Sequence, residues 1–167
     1  MKRVIYIILL FNSFSIAQTN LKLNEIMFYP LSGNNEFIEL YNPNLSESIE
    51  LNGYKIKYYT SSADVITDAG EGTVLPPASY AVIFEGDYDF SSGIYNNLIP
   101  TEALILKISD NSFGSTGMSN TSNRPIWLLS SSDDTIDVIT YSANNMQSHS
   151  DEKIHYNTDS SQTNWVN

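Results

Sequence analysis

Apolar and polar residues alternate along this chain with a period of two, in short runs broken by turn residues. Leu21 to Phe28 (LKLNEIMF) is the first such run, closed by Pro30 and the turn Ser32-Gly33-Asn34-Asn35. Glu36 to Tyr41 (EFIELY) is the second and stops at Asn42-Pro43. Ser48 to Leu51 predicts a short strand before Asn52-Gly53, a dipeptide that signals a hairpin when it lies between apolar runs. Tyr54 to Thr60 (YKIKYYT) follows, with Tyr54, Ile56 and Tyr58 on one face and Lys55, Lys57 and Tyr59 on the other. Residues 61–73 read as a polar loop.

Beyond Pro76-Pro77 the pattern repeats in kind. Ser79 to Glu85 (SYAVIFE) is nearly all apolar, as a strand covered on both faces would be. A Gly/Ser/Asn-rich connection runs through Gly93 to Pro100, and Glu102 to Ser109 (EALILKIS) alternates again. Residues 110–123 read as a second long polar loop. Pro125 to Ser130 and Thr135 to Tyr141 predict a hairpin around residues 131–134, and Lys153 to Tyr156 with Trp165 close the chain. No window holds apolar residues at i, i+3, i+4 and i+7 over three turns. The fold expected is therefore all-β, an antiparallel β-sandwich of eight or nine strands in one domain.

The first residues follow a different rule. Lys2 and Arg3 precede an apolar run, Val4 to Phe11, and Ser15-Ile16-Ala17 supplies small residues for cleavage. Crossing a bilayer takes about 20 apolar residues, and Asn12 and Ser13 end this run too early. Residues 1–17 are thus expected to be a signal peptide, with a mature domain over 18–167. The address expected is secreted, extracellular or cell-surface, with no membrane span after cleavage.

Composition supports that address. Charged residues are only 16% of the chain, against about 25% in an ordinary soluble protein. The chain has no cysteine. That excludes a disulfide framework, cysteine zinc sites, iron–sulfur clusters and a thiol nucleophile. The formal net charge is −11; loss of Lys2 and Arg3 would leave 6 basic against 19 acidic residues, or −13. Nonspecific nucleic-acid binding draws its affinity from Lys and Arg, and the six that remain are scattered, so nucleic acid is not an expected partner.

Candidate chemistry is sparse. Glu25, Glu36 and Glu39 could supply a carboxylate pair for acid–base work. Glu36 and Glu39 stand three apart and would face opposite sides of a strand, so a pair needs Glu25 across strands. The competing reading, which is favoured, has these acids bonding backbone donors at a loop or edge. Glu85, Asp87 and Asp89, at alternate positions beside Gly86, could wrap a hard cation such as calcium, although the EF-hand spacing and its distal Glu are missing. Asp64, Asp68 and Glu71 form a looser acidic set. Both sets also read as solubilising surface, and no cofactor is otherwise expected. His149 and His155 lack a third ligand. No G-x-S-x-G elbow, phosphate loop or dinucleotide fingerprint occurs. The many tyrosines, among them Tyr29, Tyr41, Tyr58, Tyr59, Tyr88 and Tyr95, are strand residues first; exposed ones could stack on sugar rings or anchor a partner.

Several segments together resemble one family. Asn24 to Pro30 (NEIMFYP), Asn35 to Pro43 (NEFIELYNP) and Leu51 to Ile56 (LNGYKI) are similar to the opening of bacterial lamin-tail domains. Leu75 to Ile83, Gly117 to Asn120, Asp134 to Tyr141, Ser150 to Ile154 and Asn164-Trp165 continue the likeness in order. Phe37 and Tyr54 stand where the family usually has Trp; Asp134-Thr135 lacks an intervening Gly, and Asp151 stands where a small apolar residue is common. The resemblance implies an immunoglobulin-like β-sandwich. It also implies a secreted, non-catalytic module for adhesion, ligand binding or protein docking, with a protein or polysaccharide surface as partner. The alternative it implies is an accessory domain that positions a larger exported hydrolase or nuclease. It carries over no catalytic residue.

Overall fold

The computed structural model describes residues 20–33, 35–155 and 165–166. The leader expected over 1–17 and the end of the strand expected at Tyr156 lie outside them. Among the described residues there are twelve strands: β1 (Lys22–Met27), β2 (Phe37–Tyr41), β3 (Ile49–Glu50), β4 (Lys55–Tyr58), β5 (Ala63–Asp68), β6 (Val74–Leu75), β7 (Tyr80–Phe84), β8 (Leu104–Ile108), β9 (Pro125–Leu129), β10 (Thr135–Thr140), β11 (Asp151–Lys153) and β12 (Trp165–Val166). None of the described residues is helical, and among them no helix is long and apolar enough to cross a membrane.

Ten strands hydrogen-bond in the order β10-β9-β4-β5-β8-β7-β2-β1-β11-β12, and β3 pairs with β6 apart from them. The ribbon folds over at β5, whose residues 63–65 pair with β4 and 66–68 with β8. A strand that changes sheets in this way makes the corner of a sandwich. The two ends then meet: a bulge between Leu23 and Glu25 in β1 frees the Leu23 N–H, which donates to Asp137 Oδ2 of β10 at 3.1 Å. The result is an immunoglobulin-like β-sandwich. Its core is built from alternate residues of both layers, including Leu23, Ile26, Ile38 and Ile83 from one and Ile56 and Leu128 from the other. Phe28 stacks on Tyr141 within it, ring centroids 4.5 Å apart.

The strand count exceeds the eight or nine expected, for two reasons. β6 and β12 are two residues each, below the length at which periodicity is visible. β5 was expected to be loop. Asp64, Thr67 and Asp68 mask it, yet its buried positions are Asp64 and Ile66, two apart. The expected hairpin at Asn52-Gly53 also differs. The turn forms, with Gly53 at φ +79° and Tyr54 N–H donating to Leu51 O at 3.0 Å. Its flanks part, however: β3 goes to β6 while β4 pairs with β5 and β9. The hairpin between β9 and β10 does form; with no glycine available, Asp133 takes the left-handed position at φ +68°.

One pairing is not antiparallel. β7 and β8 run parallel, which requires a crossover, and residues 85–103 supply it. The crossover lies on the outer face of the β7 layer. There Met27, Phe37, Val82 and Phe84 form a second apolar cluster with Tyr88 and Ala103, backed by Tyr95 and Ile99. Tyr88 stacks on Phe84 at 4.0 Å, and Tyr95 meets Phe37 edge-on at 5.2 Å. β7 is thus buried on both faces, as its unbroken apolar run predicts. Gly93 is required here: a Cβ would stand 2.3 Å from the Tyr88 ring.

Candidate functional site

Two groups of acidic side chains stand out, one buried and one lining hollows of the outer face. Five are buried among the described residues: Glu36, Asp64, Glu85, Asp137 and Asp151. Each accepts a backbone N–H. Glu36 takes Met118 N–H on both oxygens at 2.8 Å. Asp64 takes Gly114 N–H at 2.9 Å and Glu85 takes Glu36 N–H at 3.1 Å. Asp137 takes Leu23 N–H, and Asp151 takes Ser142 N–H at 2.6 Å. A buried charge is tolerated only where such donors replace water.

Two of these ties hold one loop, residues 110–123, and a tyrosine adds a third. Glu36 and Asp64 bind it directly, and Tyr58 Oη accepts Ser119 N–H at 2.8 Å. Tyr141 Oη returns a hydrogen bond to Ser119 O at 2.8 Å. Gly117 sits at φ +84°, where a side chain is strained, and a Cβ would press to 3.1 Å from Glu36 Oε1. Burial, with Glu85 as a like-charged neighbour, pushes Glu36 up to about 8. Burial likewise pushes Glu85 up to about 7, with Asp87 adding repulsion, and Asp64 up to about 6.

The second group is a row across three strands. Register places Glu39 of β2 beside Glu25 of β1, and Glu25 beside Glu152 of β11. The cross-strand pair anticipated for Glu25 is with Glu39; Glu36 faces the opposite way. Asn24 Nδ2 donates to Glu39 at 2.7 Å, and Ser150 Oγ donates to Glu25 at 2.5 Å. Burial pushes Glu39 up to about 7 despite the Asn24 bond, and Glu25 and Glu152 add to the rise. Glu25 is raised for the same leading reason. Glu25, Glu39 and Glu152 line a hollow of about 400 Å³ with Glu102, Ser79 and Tyr80. The pair also floors an adjoining, more apolar hollow of about 320 Å³. Glu152 was missed in the sequence because its strand was expected to start at Lys153; the side-chain bonds of Asp151 to Ser142 and Asn145 set the register two residues earlier.

Two members of the calcium candidate, Glu85 and Asp89, point apart. Glu85 turns inward to the Glu36 amide, whereas Asp89 caps its own turn, accepting from the amides and hydroxyls of Ser91 and Ser92. These bonds hold the Asp89 carboxyl far below the usual range. Among the described residues no three His, Cys, Asp or Glu side chains are placed to hold a metal ion. Asp64 and Asp68 also separate, because β5 turns one inward while the other caps Gly70 and Gly72. His149 is exposed, its Nδ1 3.2 Å from Gln147 O. Of the tyrosines, Tyr41, Tyr58 and Tyr88 are core residues. Tyr88 Oη is committed to Asn96 and to the Tyr95 amide, while Tyr59 is exposed beneath Arg124.

Two comparisons bear on what this arrangement serves. The family model described as Lamin Tail Domain matches residues 15–143. Among curated proteins no relative matches.

Proposed function

The chain belongs to the lamin tail domain family, and from that premise we propose that it is a secreted, non-catalytic β-sandwich module for docking. In this reading a leader over residues 1–17 directs export, and residues 18–167 fold as a rigid support whose outer surface meets a partner. One observation carries the non-catalytic part. Glu36, Asp64, Glu85, Asp137 and Asp151 are each spent on a backbone N–H, and the half-buried Glu25 and Glu39 take side-chain hydrogen bonds from Ser150 and Asn24. A catalytic carboxylate must instead reach a proton or a reacting atom of a substrate. Turning Glu36 toward a substrate would strip the Met118 amide of its acceptor, and turning Glu85 away would strip Glu36.

Turnover is the test. Purified protein is assayed against chromogenic glycoside, ester and phosphodiester substrates, alongside Glu25→Gln and Glu39→Gln. The expected result is no turnover above buffer. Turnover that co-purifies with the chain and disappears in either variant would overturn the proposal. N-terminal sequencing of the exported product, expected to begin at Gln18, tests the leader.

A further inference from the structure

The crossover leaves part of the outer face unfilled. Between it and residues 146–150 lies the apolar hollow of about 320 Å³, walled by Met27, Phe37 and Phe84 of the sheet and by Tyr95, Leu98 and Ile99 of the crossover. Ser148 and Ser150 form the opposite rim. That rim is fixed in place: Ser148 N–H donates to Tyr29 O at 2.8 Å, and Gln147 Nε2 donates to Pro30 O at 3.0 Å. Leu98 is 73% exposed at the mouth. It lies in neither apolar cluster, whereas Ile99 beside it packs into the second one. Leu31 and Met146, on the two loops tied together there, are exposed as well.

The floor is acidic. Glu25 and Glu39 belong both to this groove and to the adjoining hollow, which adds Glu102 and Glu152. No lysine or arginine lines either one. Like charges at adjacent cross-strand positions are unfavourable, and here they are also largely withdrawn from water. A positive group set against them would relieve both penalties. A metal ion does not suit the site, because no three ligating groups converge. An ammonium or guanidinium on an alkyl stem does: the stem lies along apolar walls while the head meets the carboxylates. A second copy of the chain would bring the same acidic face and the same acidic excess, 6 basic against 19 acidic residues once Lys2 and Arg3 are lost.

Building on the docking reading above, we propose that this groove binds a basic–apolar peptide segment of a partner protein. An apolar side chain seats against Tyr95, Leu98 and Ile99, and a neighbouring lysine or arginine pairs with Glu25 and Glu39. The area near Leu98 supplies affinity; the carboxylates select the charge.

The test is fluorescence anisotropy at fixed 150 mM salt, with the purified chain and a fluorescein-labelled hexapeptide, LKLFKL, against its acidic counterpart LELFEL. LKLFKL is expected to bind and LELFEL not to. Leu98→Ser, at an exposed position that leaves the core untouched, is expected to weaken binding by about tenfold, as is the Glu25→Gln/Glu39→Gln pair. Glu47→Gln/Glu71→Gln removes the same charge from exposed sites elsewhere and is expected to change affinity less than about twofold. Equal losses from the two double variants, or affinity unchanged by Leu98→Ser, would overturn the groove while leaving a docking module with another face. Self-association abolished by Leu98→Ser would also overturn it, making the groove a self-interface. Hydrolytic turnover is the separate result that removes the module reading itself.

Discussion

Glu36→Gln isolates the most strongly perturbed carboxylate. Glu36 is 7% exposed, and burial beside Glu85 raises it from 4.5 to about 8. A raised acid keeps its proton in the folded chain at pH values where the unfolded chain has released it. Its stabilising contribution is therefore complete below pH 4.5 and is lost as pH rises through about 8. At about 1.4 kcal/mol per unit, that span is worth roughly 5 kcal/mol. Glu85 titrates in the same contact, so part of the sum belongs to the pair, and roughly 2–4 kcal/mol is the share expected for Glu36. Gln keeps the shape and an acceptor for the Met118 amide but cannot ionise. Urea unfolding followed by fluorescence of Trp127 and Trp165, at pH 5, 6, 7 and 8, reads the difference. The parent is expected to lose stability steadily over that range. Glu36→Gln should match it within about 1 kcal/mol at pH 5 and exceed it by roughly 2 kcal/mol at pH 8. Glu71→Gln, removing an exposed charge, should keep the parent's slope. A parent stability that is flat or rising from pH 5 to 8, or a Glu36→Gln slope equal to the parent's, would refute the reasoning.

Other substitutions probe separate links. Phe28→Ala empties a fully buried site stacked on Tyr141, with an expected loss of about 3–5 kcal/mol in denaturant titration. Gly93→Ala forces a Cβ to 2.3 Å from Tyr88; the crossover should loosen, at a loss of about 1–3 kcal/mol, with faster proteolytic cleavage within residues 85–103. Asp137→Ala takes the acceptor from Leu23 N–H and the carboxylate from Lys153, whose side chain is buried 3.8 Å away. A loss of about 3 kcal/mol is expected by thermal melting.

Much of this fold is legible in the sequence where one physical cause acts alone. The apolar run of β7 announces its two covers because both faces are apolar, and the alternation of β4 places Ile56 and Tyr58 inward and Lys55 and Lys57 outward. The pattern misleads where a polar residue is buried. Asp64 made β5 look like loop because its tie to Gly114 comes from a residue 50 positions away. The Glu25–Glu39 pair could be anticipated as cross-strand neighbours. Its third member, Glu152, could not, since register at β11 is set by the side-chain bonds of Asp151 rather than by hydrophobic alternation. Asn52-Gly53 announces its turn but not that the flanking strands diverge: pairing partners are decided by the sandwich corner at β5. Glu85 and Asp89 are close in sequence, as calcium ligands should be, but the turn between them sends one into the core and the other to Ser91 and Ser92.

Amide hydrogen exchange on residues 110–123 tests most directly whether the buried carboxylates serve the scaffold. If they do, the amides of Gly114, Met118 and Ser119, held by Asp64, Glu36 and Tyr58, exchange as slowly as strand amides. In Glu36→Ala, Met118 should then speed up by about tenfold or more while β8 and β9 stay protected. Exchange of Gly114 and Met118 at the rate of open chain in the parent protein would contradict this, leaving Glu36 and Asp64 uncommitted and free for chemistry.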